Sequence, residues 1–152
     1  MLARRLVNQQ AIITTKMNFE PSCFQQMAGL AAYYNTYLFH YLYLSRDEKE
    51  GLCMQIHSCD DGISSFPLGE EIIPVSKGEL FLRATFNNCD LQFQFSEDGE
   101  HFKNAGPNLD ASILSDDHGK HWGFTGTFVA LACQDLTGNR LPASFDFLEI
   151  KT

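Results

Sequence analysis

Apolar side chains recur with a period of two along much of the chain. Leu91, Phe93 and Phe95 alternate with glutamine and serine, a pattern typical of a strand with one buried and one solvated face. A continuous apolar run over 127–133 predicts a central strand. The other segments that alternate in this way are 11–19, 80–86 and 144–152.

The residues between these segments favour turns. Two apolar, aromatic-rich runs within 24–44 flank Asn35-Thr36, which predicts two strands joined by a tight turn. Asp98-Gly99 is a second hairpin signal, and residues 109–115 could form one helical turn. Further residues that tolerate a positive φ lie at Asn87-Asn88 and at Thr137-Gly138-Asn139.

About ten short strands with no convincing long helix predict an all-β fold, an antiparallel β-sandwich. At 152 residues the chain is expected to form a single domain spanning 1–152. No apolar segment is long enough to span a membrane as a helix, so no membrane association is expected.

Charge and cysteine content restrict the partners and the compartment. The formal net charge of −8 disfavours nucleic acid, whose phosphates an acidic surface repels, whereas neutral sugars are indifferent to it. The five cysteines form an odd set without a Cys-x-x-Cys pair, which fits neither a disulfide framework nor a zinc ribbon. We therefore expect a reduced, cytoplasmic protein.

Several segments of the chain are distinctive when they are taken in order. The most specific strings are Gln25-Gln-Met-Ala-Gly-Leu30 and Asp110-Ala-Ser-Ile-Leu-Ser-Asp116. The other segments are Leu2–Arg5, Thr14–Lys16, Tyr33–Asn35, Leu91–Gly99, Phe124–Asp135 and Phe145–Phe147. Together they resemble one known family: the C-terminal concanavalin A-like β-sandwich domain of glycoside hydrolase family 43 β-xylosidases. The resemblance extends over nearly the whole chain and implies a jelly roll of two packed antiparallel sheets.

The resemblance implies an accessory role rather than catalysis. In the family, a five-bladed propeller carries the two carboxylic groups of an inverting β-xylosidase, so no catalytic residue can be assigned to this chain. The expected function is to complete the mouth of the active site of a propeller domain or subunit and to support oligomer assembly. The alternatives are a freestanding carbohydrate-binding module, which would take xylo-oligosaccharides, and a non-functional gene fragment.

The resemblance also implies that the first strands of the domain are missing, because in the family further strands precede the segment that begins here at Leu2. Missing strands would leave an open sheet edge with unpaired backbone groups. A homo-oligomer, or pairing with a separate catalytic chain, is therefore expected.

Phe124 is the foremost candidate for a functional residue. In the family, a loop of this domain carries an aromatic side chain into the mouth of the propeller's pocket, and Phe124 is the best positional match. Gly123 and Gly126 lie close to it and would let a loop present a bulky side chain. The alternative is a core phenylalanine at the start of a strand.

Other aromatic residues could contact a sugar or a partner. Tyr37, Phe39, Tyr41 and Tyr43 share one face of a strand, with Tyr33 close by across the turn. Aromatic faces stack on sugar rings, but the same row is typical of a sandwich core, and core packing is favoured.

Trp122, the only tryptophan, lies in a polar loop and is expected to anchor an interface.

Metal binding has weaker support. His118 and His121, with Asp116 and Asp117, are metal-capable side chains, but their spacing lacks a zinc motif and favours a solvated loop. A structural calcium ion is the more plausible cofactor, since loop carboxylates suit it. The candidate ligands are Glu20, Asp110 and Asp146.

Overall fold

The computed structural model describes residues 1–120 and 123–152. A short 3-10 helix, Ala111–Leu114, is the helical turn expected within 109–115. The strands of the described residues are β1 Leu2–Arg5, β2 Gln10–Asn18, β3 Gln26–Asn35, β4 Leu38–Asp47, β5 Gly51–Asp60, β6 Ile63–Ser65, β7 Ile73–Pro74, β8 Glu79–Asn87, β9 Asp90–Ser96, β10 Lys103–Asn104, β11 Leu109–Asp110, β12 Phe128–Asp135 and β13 Ser144–Lys151.

These strands form two antiparallel sheets. The seven-stranded sheet has the order β1-β12-β3-β4-β5-β6, with β7 also paired to β5. The six-stranded sheet has the order β10-β9-β8-β2-β13, with β11 paired to β9. The predicted antiparallel sandwich is confirmed.

The core lies between the two sheets, and strand alternation builds it. Leu30 and Leu42 from the seven-stranded sheet and Leu82 and Phe93 from the six-stranded sheet are fully buried. Each has neighbours along its strand that point away from the core, as the pleat requires. The alternation of Leu91, Phe93 and Phe95 predicted that these side chains face the core, and this prediction is confirmed.

Turn positions follow the turn residues of the sequence. Strands β3 and β4 pair across a turn at residues 36–37, one position beyond the predicted Asn35-Thr36 step, and Gly99 has a φ of +84° between β9 and β10. Asn88 and Gly138 also have positive φ, at 56° and 84°. The longest strand that sequence reasoning left unassigned is β5, although it pairs along its whole length with β4.

The aromatic row on β4 corrects one prediction. Phe39, Tyr41 and Tyr43 lie on the outer face of the seven-stranded sheet, so their placement in the core between the sheets is wrong. The intervening Leu38 and Leu42 occupy that core instead. Both faces of β4 are apolar, and alternation alone cannot decide which of two apolar faces turns inward.

The row nevertheless has a packing role of its own. Tyr41 is 5% exposed because it packs with Ala31 of β3 and Ala130 of β12, and Phe39 and Tyr43 flank this second cluster. The seven-stranded sheet therefore carries apolar side chains on both faces along β12, β3 and β4.

Candidate functional site

Phe124 lies in the connection between the 3-10 helix and β12, and its side chain is 71% exposed. The alternative of a core phenylalanine is wrong. Its φ of +48° is in the left-handed region, which a bulky non-glycine residue rarely adopts. Such strained backbone persists only where surrounding contacts enforce it, and it concentrates at functional sites. We call the connection between Ser115 and Thr127 the Phe124 loop.

One side of the Phe124 loop is held by Tyr34 of β3. The Tyr34 hydroxyl donates a hydrogen bond to Asp116 Oδ1 at 2.6 Å, and the backbone at Gly123 approaches the same hydroxyl closely. Burial, and then the Asp116 carboxylate, raise the pKa of Tyr34, while the nearby backbone of Phe124 and Thr125 opposes the shift. The hydroxyl therefore stays protonated and can donate to Asp116.

The other side of the loop is held by the turn between β5 and β6. His118 Nε2 lies 2.7 Å from Asp60 Oδ1. The backbone amide of Lys120 donates to Asp61 Oδ1 at 3.1 Å, and Lys120 Nζ lies 3.5 Å from Asp61 Oδ2. The adjacent carboxylates of this turn, Asp60 and Asp61, thus bind the loop.

The base of the loop is fixed from the core. His40 is 5% exposed on the inner face of β4, where its Nε2 lies 3.0 Å from the carbonyl oxygen of Asp110 and its Nδ1 2.7 Å from Ser58 Oγ. Asp110 caps the 3-10 helix by accepting a hydrogen bond from the amide of Ser112. Burial lowers the pKa of His40, which favours the neutral imidazole.

The other predicted aromatic residues do not converge on Phe124. Tyr33 lines a shallow groove of about 200 Å³ on the outer face of the seven-stranded sheet, together with Phe39 and Tyr41. Tyr37 lies in the β3–β4 turn, 43% exposed, with its ring against Gly62. Trp122 lies outside the described residues, so its predicted anchoring role stays a prediction.

The candidate metal ligands lie on separate elements. Asp110 caps the 3-10 helix beside β9, whereas Asp146 lies on β13 with its Oδ2 3.4 Å from Lys16 Nζ. The Glu20 carboxylate lies close to Gly78. Across residues 1–120 and 123–152, no group of three or more histidine, cysteine or acidic side chains is placed to hold a metal ion. The calcium site stays a prediction.

The histidine and aspartate cluster read from the loop sequence is divided between different partners. Asp116 bonds Tyr34, and His118 bonds Asp60, while His121 lies outside the described residues. Tyr34 was not assigned to the site from sequence. The signal that could have found it is the alternation of β3, which turns Tyr34 inward where Tyr33 faces outward.

The fold and this loop define a concanavalin A-like β-sandwich that presents an aromatic side chain at one end. The chain belongs to the family described as the beta xylosidase C-terminal concanavalin A-like domain, which matches residues 1–151.

Curated relatives and a solved structure agree with the family. Xylosidase/arabinosidase 43B of Humicola insolens is 38% identical over 97% of this chain, and the beta-xylosidase of Bacillus subtilis 34% identical over 99%. The crystal structure of xylan beta-1,4-xylosidase from Bacillus halodurans superposes with a TM-score of 0.94 at 35% identity over 99% of the chain.

The chain corresponds to only part of these relatives. It spans 28–29% of their length, as the C-terminal accessory domain of longer xylosidases. The two alternatives, a freestanding carbohydrate-binding module and a non-functional fragment, are not favoured by these similarities.

No helix of the described residues is long and apolar enough to cross a membrane.

All five cysteines are free thiols.

Proposed function

We propose that this chain is the non-catalytic accessory domain of a β-xylosidase-like glycoside hydrolase, and that Phe124 completes the mouth of the active-site pocket. The observation that carries the proposal is the 71% exposure of Phe124 on a loop held from two sides. An exposed ring on a fixed loop is suited to cover an apolar face of a sugar or close a pocket.

The partner in this proposal is a propeller catalytic domain, which supplies both carboxylic groups of glycoside hydrolysis. A xylo-oligosaccharide would contact Phe124 only in the assembled pocket. The chain alone is therefore expected to leave an aryl xyloside unhydrolysed. Turnover by the purified chain that co-elutes with it through several chromatographic steps would overturn the accessory role.

The test of Phe124 uses a hybrid enzyme in which this chain replaces the matching C-terminal domain of the Bacillus halodurans xylosidase. Phe124→Ala is expected to lower kcat/KM on xylobiose by at least about 10-fold, since covering a phenyl ring contributes roughly 1.5–3 kcal/mol. The matched control is Phe24→Ala, which removes another exposed ring, 62% exposed, away from the loop. Equal kcat/KM values for the two variants would contradict the proposal.

Self-association is a second part of the proposal. It is supported by β1, an edge strand of the seven-stranded sheet whose four residues are all exposed and which pairs only with β12 among the described strands. Unpaired backbone groups on such an edge can bind another chain.

A cytoplasmic location is likewise proposed, on the support of the five free thiols.

A further inference from the structure

The two sheets of the sandwich present different outer faces. The six-stranded sheet carries charges there: Lys16 Nζ lies 3.3 Å from Glu79 Oε2, and the central carbon of the Arg83 guanidinium lies 3.5 Å from the centre of the Phe102 ring. On the seven-stranded sheet, the outward-facing positions within 27–33 of β3, 39–45 of β4 and 128–134 of β12 carry no charged side chain. An uncharged apolar face that crosses three strands indicates contact with a partner rather than with water alone.

A groove of about 200 Å³ lies in this uncharged face, and we call it the outer groove. The small side chains of Ala31 and Ala132 leave room between the larger rings of Tyr33, Phe39 and Tyr41. The remaining lining residues are Met1, Thr36 and Gln134. Aromatic side chains without charged neighbours are typical of the desolvated centre of a protein–protein interface.

The rings of the outer groove are held in place within this chain. The Tyr41 hydroxyl donates a hydrogen bond to the Ala132 carbonyl at 3.4 Å, and Phe39 contacts the His57 ring edge-on, with ring centres 5.0 Å apart. Tyr41 is only 5% exposed, so it does not offer the free ring face on which a sugar would stack. Side chains that are already fixed lose little conformational entropy when a partner covers them. The outer groove is therefore better suited to a protein surface than to a sugar.

The outer groove begins at the end of the sheet that carries the Phe124 loop. Tyr33 pairs in register with Phe128, the first residue of β12 after the loop. The next residue of β3, Tyr34, donates its hydroxyl hydrogen bond to Asp116 within the loop. A body that receives the ring of Phe124 at this end therefore lies beside the outer groove and can cover both.

The longer relatives indicate which body this is. The chain matches 28–29% of the length of these xylosidases, as their C-terminal domain, so the rest of each relative precedes the position of Met1. Met1 itself lines the outer groove. In the relatives, the preceding polypeptide therefore reaches this domain on the side of the outer groove.

We propose that the outer groove is the docking surface for the catalytic domain that this chain accompanies, and that Tyr33 and Phe39 are covered when the two domains meet. The inference rests on the proposed function for the identity of the partner. It extends the contact from the Phe124 loop onto the outer face of the seven-stranded sheet.

The first arm of the test compares hydroxyl-radical labelling of this chain alone with labelling of the hybrid enzyme. Tyr33 and Phe39 are expected to be labelled severalfold more slowly in the hybrid, because a docked surface excludes solvent. The internal control is Phe147, 41% exposed on β13 of the other sheet, whose labelling rate should not change. Equal labelling of Tyr33 in the two proteins would overturn the docking surface.

The chain alone tests the other occupants of the outer groove. The labelling rate of Tyr33 is expected to be independent of chain concentration and of added xylobiose. Labelling that slows as the chain concentration rises would show that a second copy occupies the groove, and slowing by xylobiose would show a sugar site. Either result would overturn the proposal.

The second arm identifies the surface that faces the outer groove in the hybrid enzyme. Tyr33→p-benzoylphenylalanine keeps an aromatic ring at this position and cross-links to adjacent C–H groups on illumination. Mass spectrometry of the cross-linked peptides is expected to find residues of the catalytic domain. The matched control, Phe147→p-benzoylphenylalanine, should give no cross-link to that domain. Cross-links from position 33 that reach only the C-terminal domain or a second copy would contradict the proposal.

The docking surface and the role of Phe124 can fail separately. If Phe124→Ala leaves kcat/KM unchanged while Tyr33 and Phe39 remain protected in the hybrid, the pocket-completing role fails and the docking surface stands. If Phe124→Ala lowers kcat/KM but neither residue is protected, the docking surface is overturned and the proposed function stands.

Discussion

At the residue scale, buried His40 links the fold to the stability of the domain at acid pH. Its two ring nitrogens lie within hydrogen-bond distance of Ser58 and the Asp110 carbonyl, while its burial favours the neutral form. Burial lowers its pKa, while the Asp110 carbonyl and the charges of Asp110 and Asp60 act in the opposite direction. The ordinary pKa of 6.5 applies in the unfolded chain.

The stability of the domain is expected to fall as the pH drops below about 6.5. In that range the unfolded chain binds a proton at His40 while the folded chain does not. Proton binding therefore stabilises the unfolded state and lowers the free energy of unfolding. One such proton gives a slope of at most about 1.4 kcal/mol per pH unit. Urea unfolding between pH 5 and pH 8 measures it, and His40→Gln should show a weaker dependence. A variant with the wild-type slope would contradict the assignment to His40.

Strand β13 is a strand, as predicted, but a β-bulge at Asp146 interrupts its alternation. The sequence predicts an alternating strand over 144–152, but the register shifts between Phe145 and Phe147, leaving Asp146 without a partner on β2. This bulge lets Phe145 and Leu148, three positions apart, both pack against the core. Phe147 is left 41% exposed.

Deletion of Asp146 is expected to destabilise the domain by about 2 kcal/mol or more. Without the extra residue the strand cannot keep Phe145 and Leu148 on the same face, and one of them must leave the core. Asp146→Ala keeps the chain length and loses only an exposed ion pair with Lys16, so it is the matched control. Denaturant unfolding measures both. Equal stability of the two variants would show that the bulge has no packing role.

At the scale of the whole molecule, the seven-stranded sheet has an exposed edge that the sandwich does not cover. Strand β1 pairs with β12 on one side, and Leu2 on this edge is 68% exposed. The net charge of −8 opposes close approach of two copies, whereas an apolar edge favours it. Association should therefore strengthen as salt screens the charges.

We expect a defined oligomer by light scattering after size exclusion, and Leu2→Lys should shift it toward the monomer because a lysine on an edge strand opposes edge pairing. Leu136→Lys is the matched control: Leu136 is also 68% exposed but lies outside the strands. A monomer at all salt concentrations, or the same mass for both variants, would contradict assembly through β1.

The all-β class, most of the longer strands and the principal turns could be predicted from the sequence, because alternation and turn residues reflect interactions between near neighbours in the chain. Phe124 was predicted from the resemblance to the family. The outward orientation of Phe39, Tyr41 and Tyr43 and the position of Tyr34 beneath the Phe124 loop emerged only from the folded domain. The reason is that both depend on contacts between residues far apart in the chain. A strand with two apolar faces, or a hydroxyl bound to a loop 82 positions away, leaves no local pattern.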